Sequence, residues 1–174
     1  YNSTARDSVR LADMANIKKQ LELKRSFNQS IPMPDDKVDI TAGWKTINYQ
    51  WYAGRDVLNT ISLFGGWADP LDKTYYTYMV NVDLSEYQIM WFLENSDAIT
   101  LNIIPQSYAA DYSERFPVVE WSKWWILLSE EWNRPVQVDG EPVDILDTDK
   151  TFQMYMDNTS GWEMVWVTQK DIKP

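Results

Sequence analysis

Residues 4–28 read TARDSVRLADMANIKKQLELKRSFN, and this stretch decides the fold. Its apolar side chains recur every three to four residues, which is the spacing of one face of an α-helix. The stripe consists of Leu11, Met14, Ile17 and Leu21. No glycine or proline interrupts the stretch, and Pro32 and Pro34 prevent a helix from continuing far beyond it. The stretch therefore predicts an N-terminal helix that packs its apolar stripe against the rest of the protein.

After this helix the pattern changes, because apolar residues begin to alternate with polar ones, as they do along β-strands. The alternation runs through residues 35–54, 74–82 and 87–93. Residues 83–86, with the sequence DLSE, form the turn of a predicted β-hairpin between the last two runs. A one-face apolar pattern in residues 55–64 predicts a short second helix.

Alternation returns in residues 152–156 and 162–166, separated by the turn sequence DNTSG. These two runs predict a second hairpin. One long helix followed mainly by antiparallel strands is an α+β arrangement, in which the helix covers one face of an antiparallel sheet. We expect a single domain over residues 1–174, made of the helix (1–30), a first sheet region (31–96) and a β-rich C-terminal elaboration (97–174).

Composition narrows the chemistry that the chain can perform. Its 174 residues include no histidine, the commonest general base and metal ligand, and no cysteine, the source of thiol nucleophiles. The sequence also contains no glycine-rich phosphate loop and no G-x-S-x-G element. We therefore expect a protein that is not an enzyme and that uses no organic cofactor.

Charge is distributed unevenly along the chain. The net charge is −10, yet residues 1–30 carry six basic and three acidic side chains. The remainder of the chain is therefore strongly acidic. Because phosphate backbones are bound by basic surfaces, this balance argues against nucleic acid as a partner.

Three segments of the chain resemble type IV pilins and the pseudopilins of type II secretion systems. Residues 5–23, ARDSVRLADMANIKKQLEL, are similar to the exposed half of the long first helix in these families. Residues 69–78, DPLDKTYYTY, look like the Asp-Pro turn and the tyrosine-rich strand that follows it. Residues 87–94 are similar to the next strand, so the resemblance covers the chain up to residue 95.

This resemblance implies a non-catalytic structural subunit of a type IV pilus or of a type II secretion pseudopilus-like filament. The partners would be other pilin or pseudopilin subunits. The resemblance also implies an apolar helical segment before residue 1, which anchors the subunit in the bacterial inner membrane before assembly. The protein would then belong to the cell envelope, in a periplasmic or extracellular filament.

The ten tryptophans are a second unusual feature of the sequence. Four of them lie close together among polar residues: Trp121, Trp124, Trp125 and Trp132. If they are exposed, they form an aromatic platform for a sugar or a partner protein, and the chain is an adhesin-like binding module with a surface ligand. If they are buried, they fill the core of a thin β-sandwich. The burial of the tryptophans therefore distinguishes a binding module from a plain filament subunit.

A string of acidic residues is the one candidate metal site. It consists of Asp144, Asp147 and Asp149. Calcium is bound by several carboxylate and carbonyl oxygens of a loop, and the resemblance to major pseudopilins implies a C-terminal calcium site. The spacing lacks the glycine and the closing glutamate of an EF-hand. A solvated turn without metal is the alternative interpretation of these three residues.

Overall fold

The computed structural model describes residues 2–95, 116–120, 126–127, 142–146, 152–158 and 161–167. Side chains are described for residues 2–95, 126–127 and 142–146. The predicted runs in residues 152–156 and 162–166 form the antiparallel hairpin of a separate two-stranded sheet, in which Phe152–Asn158 pairs with Gly161–Val167.

The N-terminal helix, α1, spans Ser3–Ser26. Asn2 caps its start, since its side-chain oxygen accepts a hydrogen bond of 2.9 Å from the N–H of Ala5. At the other end Asn28 has a positive φ of 52°, and the N–H of Gln29 donates to the carbonyl of Lys24 at 2.9 Å. This turn satisfies late carbonyls of the helix and redirects the chain toward the sheet.

Within the described residues the main sheet contains six strands. In chain order they are β1 (Asp35–Ala42), β2 (Lys45–Tyr52), β3 (Thr77–Asn81), β4 (Tyr87–Leu93), β5 (Phe116–Glu120) and β6 (Val143–Asp144). Their spatial order is β5-β4-β3-β2-β1-β6. A short helix, α2, spans Arg55–Thr60 between β2 and β3, within the range that the sequence predicted.

One pairing departs from the expected antiparallel sheet. Strand β6 runs parallel to β1, with Ile40 beside Val143 and Thr41 beside Asp144. The N–H of Ile145 donates to the carbonyl of Thr41 at 2.8 Å, which continues this ladder. A strand of two residues is too short to show alternation, so the sequence pattern could not reveal it.

Helix α1 packs on the sheet through a line of five side chains: Asp7, Arg10, Met14, Ile17 and Leu21. Met14, Ile17 and Leu21 are no more than 3% exposed and join the main apolar core. The prediction that Leu11 belongs to the packed stripe is wrong, because its side chain is 38% exposed. Arg10, not Leu11, lies on the packed face of α1. The packed residues follow one another at intervals of three and four from position 7, and position 10 falls on this face whereas position 11 does not.

The opposite face of the sheet is covered as well, and every residue of β3 and β4 is buried. Residues 126–127 cross this second face and are held by side-chain amides. The Gln50 amide accepts from the N–H of Leu127 and donates to its carbonyl, both at 2.9 Å. The N–H of Ile126 donates to Oε1 of Gln88 at 2.8 Å. These bonds satisfy backbone groups in a place where water is excluded.

Candidate functional site

Arg10 is the centre of a buried ion cluster, although it lies on a helix with a solvent-exposed side. Its guanidinium is 0% exposed and contacts three carboxylates. The Nε and Nη2 atoms donate to the two oxygens of Asp69, at 2.7 Å and 3.0 Å. Nη1 donates to Asp7 at 2.7 Å and to Glu94 at 2.6 Å. A planar guanidinium can satisfy several carboxylates at fixed angles, which a lysine ammonium cannot do.

Asp7 ties the beginning of α1 to the end of β4. Its carboxylate accepts hydrogen bonds from the backbone N–H groups of Glu94 and Asn95, both at 2.9 Å. The side-chain amide of Asn95 donates to the same carboxylate at 2.7 Å. Asp7 is 1% exposed, so these donors replace the water that a carboxylate would otherwise need.

Asp69 brings the Asp-Pro turn into the same cluster. Its Oδ1 atom accepts from the N–H groups of Leu71 and Asp72, at 2.8 Å and 3.0 Å, which folds the turn on its own side chain. The Asp69 N–H donates to the carbonyl of Thr74 at 2.8 Å, just before β3 begins. Two of the three segments that carry the family resemblance are thus joined directly, because Arg10 of the helix holds Asp69 of the turn.

The cluster lowers the pKa values of Glu94 and Asp69 and raises the pKa of Arg10. The hydrogen bond from Arg6, with those from Arg10, lowers the pKa of Glu94 to about 2. Burial would raise the pKa of Asp69, but hydrogen bonds from Arg10 and from two backbone N–H groups lower it overall. Burial likewise disfavours charge on Arg10, yet the three carboxylates outweigh it and raise its pKa. All these groups therefore stay ionised at neutral pH.

A neighbouring pair behaves differently. The hydroxyl of Tyr76 donates to Asp13 at 2.9 Å, one helical turn beyond Arg10. Burial raises the pKa of Asp13, and the hydrogen bond from Tyr76 only partly offsets that effect. Burial, together with the charge and the hydrogen bond of Asp13, also raises the pKa of Tyr76.

The arrangement is suited to holding the helix in one position, since its acceptors are occupied by arginine and by backbone N–H groups. It has no histidine or cysteine to act as nucleophile or base. Among the residues with described side chains, no group of three or more carboxylates, histidines or cysteines is placed to hold a metal ion.

The opposite, outward side of α1 carries little charge. We call this the outward face, and it consists of Ala5, Val9, Ala12, Asn16, Lys19, Leu23 and Phe27. Lys19 is the one charged residue in this set, although α1 contains nine charged residues in all. Val9 and Leu23 are each 41% exposed and Phe27 is 71% exposed. A helix face that stays in water usually carries charged residues, so this one has the character of a packing surface.

The structure places only some of the predicted site residues. The four tryptophans of the predicted platform, together with Asp147 and Asp149, lie outside the described residues. Asp144 is described, and its Oδ1 accepts from the N–H of Gly43 at 3.0 Å and of Leu146 at 2.9 Å. That carboxylate oxygen therefore links β6 to the β1–β2 turn, which is a structural role.

The described tryptophans do not share one environment. Trp91 is 3% exposed, Trp51 and Trp67 are half-buried, and Trp44 is 99% exposed. Sequence reasoning did not single out Trp44, nor did it recognise Arg10, Asp69 and Glu94 as a cluster. The one available signal for the cluster was the Asp7–Arg10 pair, whose spacing of three places both on one helix face.

Comparisons of the chain with protein-family models, with curated proteins and with solved structures found no match. Within the described part of the chain, neither helix combines the length and the apolar character that a bilayer-crossing segment needs.

Proposed function

We propose that this chain is the head of a non-catalytic structural subunit that assembles into a filament of the type IV pilus or type II secretion pseudopilus kind. Other pilin or pseudopilin subunits are its partners in this proposal. An apolar helical segment upstream of α1 holds the subunit in the inner membrane before assembly. The assembled filament lies in the periplasm or outside the cell.

The observation that carries the proposal is the two-sided character of α1. On one side, Arg10 and Asp7 fix the helix to the Asp-Pro turn and to the end of β4 through bonds of 2.6–3.0 Å. On the other side, the outward face offers alanine, valine, leucine and phenylalanine to a neighbour. A rigidly held helix with a weakly charged outer face can pack against helices of other subunits without first reorganising.

The acidic body agrees with this proposal. Self-repulsion of a chain with net charge −10 keeps isolated heads apart in dilute solution. Assembly then depends on the helices, which carry the excess of basic residues. Basic helix residues close to acidic heads of neighbouring subunits supply complementary charge in a filament.

The second candidate function is an adhesin-like module that binds a sugar or a protein through tryptophan. Trp44 favours it, because its indole is 99% exposed and so is accessible to a sugar ring or a partner side chain. The other described tryptophans do not join Trp44 in an exposed row. The two functions are compatible, since a filament subunit can also carry a binding head.

Introducing a negative charge on the outward face tests the filament proposal. The full-length gene product carrying Ala12→Glu should fail to form filaments in cells, because a buried carboxylate would lie between packed helices. Its isolated head should melt like the wild type, since Ala12 is exposed. Thr74→Glu, at an exposed position before β3, is the matched control and should assemble normally. Normal filaments from Ala12→Glu would contradict the proposal.

A further inference from the structure

The C-terminal end of α1 is held by a second polar cluster, which we call the Arg25 cluster. Arg25 donates from Nε to the carbonyl of Ser85 at 3.2 Å and from Nη2 to Glu86 at 3.0 Å. Its Nη1 atom donates to Glu22 at 3.2 Å, and the hydroxyl of Tyr87 donates to the same carboxylate at 2.8 Å. The last turns of α1 are therefore tied to the turn before β4 and to the first residue of that strand.

The Arg25 cluster and the buried ion cluster around Arg10 lie at opposite ends of the same strand. At the N-terminal end of α1, Asp7 accepts from the N–H groups of Glu94 and Asn95, which directly follow β4. At the C-terminal end, Glu22 accepts from Tyr87, where β4 begins. Helix α1 therefore runs antiparallel to β4 and is tied to it at both ends.

The distances between the ties match along the helix and along the strand. An α-helix advances about 1.5 Å per residue, so positions 7 and 22 of α1 lie about 22 Å apart along its axis. A strand advances about 3.3 Å per residue, so positions 87 and 94 lie about 23 Å apart. Both clusters therefore close at one axial position of the helix. A shift by one helical turn, about 5.4 Å, would break the hydrogen bonds of both.

The apolar contacts between the clusters define this axial position less sharply. Met14, Ile17 and Leu21 are buried on the sheet, but hydrophobic contact has no preferred direction. Hydrogen bonds to charged groups depend on both distance and angle, and they are stronger than those between neutral groups. The clusters at the two ends therefore set the register of α1 against β4.

We propose that the two clusters form an axial lock, which prevents α1 from sliding along β4 and passes tension from the start of the helix into the sheet. The direction of the load rests on the proposed filament function, in which a segment upstream of α1 is held by other subunits. A pull along the helix axis loads both clusters at once, since both resist the same displacement. A pull that lifts the start of α1 off the sheet loads the ion cluster first, and the Arg25 cluster only after the ion cluster has opened.

Single-molecule unfolding at constant force, with two directions of pulling, tests the lock. The protein has no cysteine, so handles can be attached to a cysteine added before Tyr1 and to one substituted position. With Asp83→Cys, in the exposed turn beside the Arg25 cluster, the force runs along α1. With Thr74→Cys, the force lifts the start of α1 off the sheet, because the carbonyl of Thr74 accepts from the N–H of Asp69 in the ion cluster.

Arg25→Met removes the cation of the Arg25 cluster and should act in one direction only. Along the axis it should raise the unfolding rate about tenfold, because one of two ties that share the load is lost. In the lifting direction the first opening step should change by less than about twofold, because the ion cluster opens before the Arg25 cluster is loaded. Lys24→Met is the matched control and should change neither rate, since the Lys24 ammonium donates to Gln29 in the loop after α1.

Two results would overturn the lock. One is an axial unfolding rate that Arg25→Met leaves unchanged. The other is equal acceleration in both directions, which is the result expected if Arg25 contributes only to overall stability. The measurement uses the 174-residue chain without a filament, so the lock and the filament function fail separately. A direction-dependent effect in a protein whose full-length form never assembles would support the lock and contradict the filament function alone.

Discussion

Arg10 and Asp69 form a two-point ion pair across 59 residues of sequence, with both guanidinium–carboxylate hydrogen bonds at or below 3.0 Å. This pair connects the long helix to the turn that precedes β3. It is completed by Asp7 and Glu94, so one buried cation is balanced by three carboxylates. Removing either end of such a pair leaves uncompensated buried charge, which makes the cluster a sensitive test of how the helix is held.

Replacing Arg10 by methionine should therefore destabilise the protein strongly. Asp7 and Asp69 would lose their ion pairs with Arg10, whereas Glu94 would keep Arg6, and we expect the free energy of unfolding to fall by about 3–5 kcal/mol. Urea denaturation followed by far-UV circular dichroism measures this loss. Arg6→Met is the matched control, because Arg6 is partly exposed and pairs with Glu94 only at the edge of the cluster. The loss for Arg6→Met should be much smaller than the loss for Arg10→Met, and equal losses for the two variants would contradict the account.

Stability should also fall on acidification below pH 4.5. In the folded state the pKa of Glu94 is about 2, and the pKa of Asp69 is also lowered. In the unfolded chain the pKa values of Glu and Asp are about 4.3 and 3.9. Their stabilising effect is complete above the unfolded values and is lost as the pH falls through the folded values. Asp13 acts in the opposite sense, because its raised pKa means that protonation favours the folded state. Urea unfolding measured from pH 6 to pH 2 should show a net decrease in the free energy of unfolding.

Glu94→Gln separates the contribution of Glu94 from that of the other carboxylates. This variant should start less stable at pH 6 and then lose less stability on acidification than the wild type, because the titrating group is gone. If the wild type and Glu94→Gln showed the same slope of unfolding free energy against pH, Glu94 would not be the depressed carboxylate that the geometry indicates.

The packed line of α1 can be tested with two leucines on the same helix. Leu21→Ala should cost about 2–5 kcal/mol, because Leu21 is 0% exposed and lies in the main core. Leu11→Ala should cost less than about 0.5 kcal/mol, since Leu11 is 38% exposed. Both variants replace leucine by alanine in the same helix, so their change in helix propensity is the same. The difference between the two stability losses therefore reports the effect of burial. Equal losses in thermal or urea unfolding would mean that the packed face has been assigned incorrectly.

The predicted calcium site at Asp144, Asp147 and Asp149 gives a clear thermal test. Binding to the folded state would raise stability by about 2.7 kcal/mol at a calcium concentration one hundred times the dissociation constant. The melting temperature would then be higher in excess calcium than in excess chelator, and Asp147→Asn would abolish the difference. Identical melting curves in calcium and in chelator would show that these residues do not bind calcium.

The helix and the hairpins could be predicted from the sequence, because their signals are local. Residues 4–28 were predicted to be helical, and α1 spans Ser3–Ser26. The predicted hairpin around DLSE corresponds to β3 and β4, in which Val80 pairs with Tyr87. Periodicity finds these elements since each is long enough to show several repeats of its own spacing.

The ion cluster could not be predicted, because its members are brought together only by the fold. Arginine is usually exposed to solvent, so the apolar periodicity of the sequence predicted Leu11, and not Arg10, on the packed face. Arg10 is buried because carboxylates arrive from positions 7, 69 and 94, and no local window contains all of them. The parallel β1–β6 pair was missed for a similar reason, since two residues carry no periodic signal.

The most direct test of the filament account is the membrane partition of the full-length gene product. The coding sequence upstream of residue 1 should specify a short basic leader followed by an apolar stretch of about 20 residues, enough to cross a bilayer as a helix. Expressed from its native start codon and fractionated, the protein should sediment with the membranes and be released by detergent. The 174-residue chain expressed alone is the control, and we expect it in the supernatant. A native start codon directly before Tyr1, or a full-length product found entirely in the soluble fraction, would contradict the account.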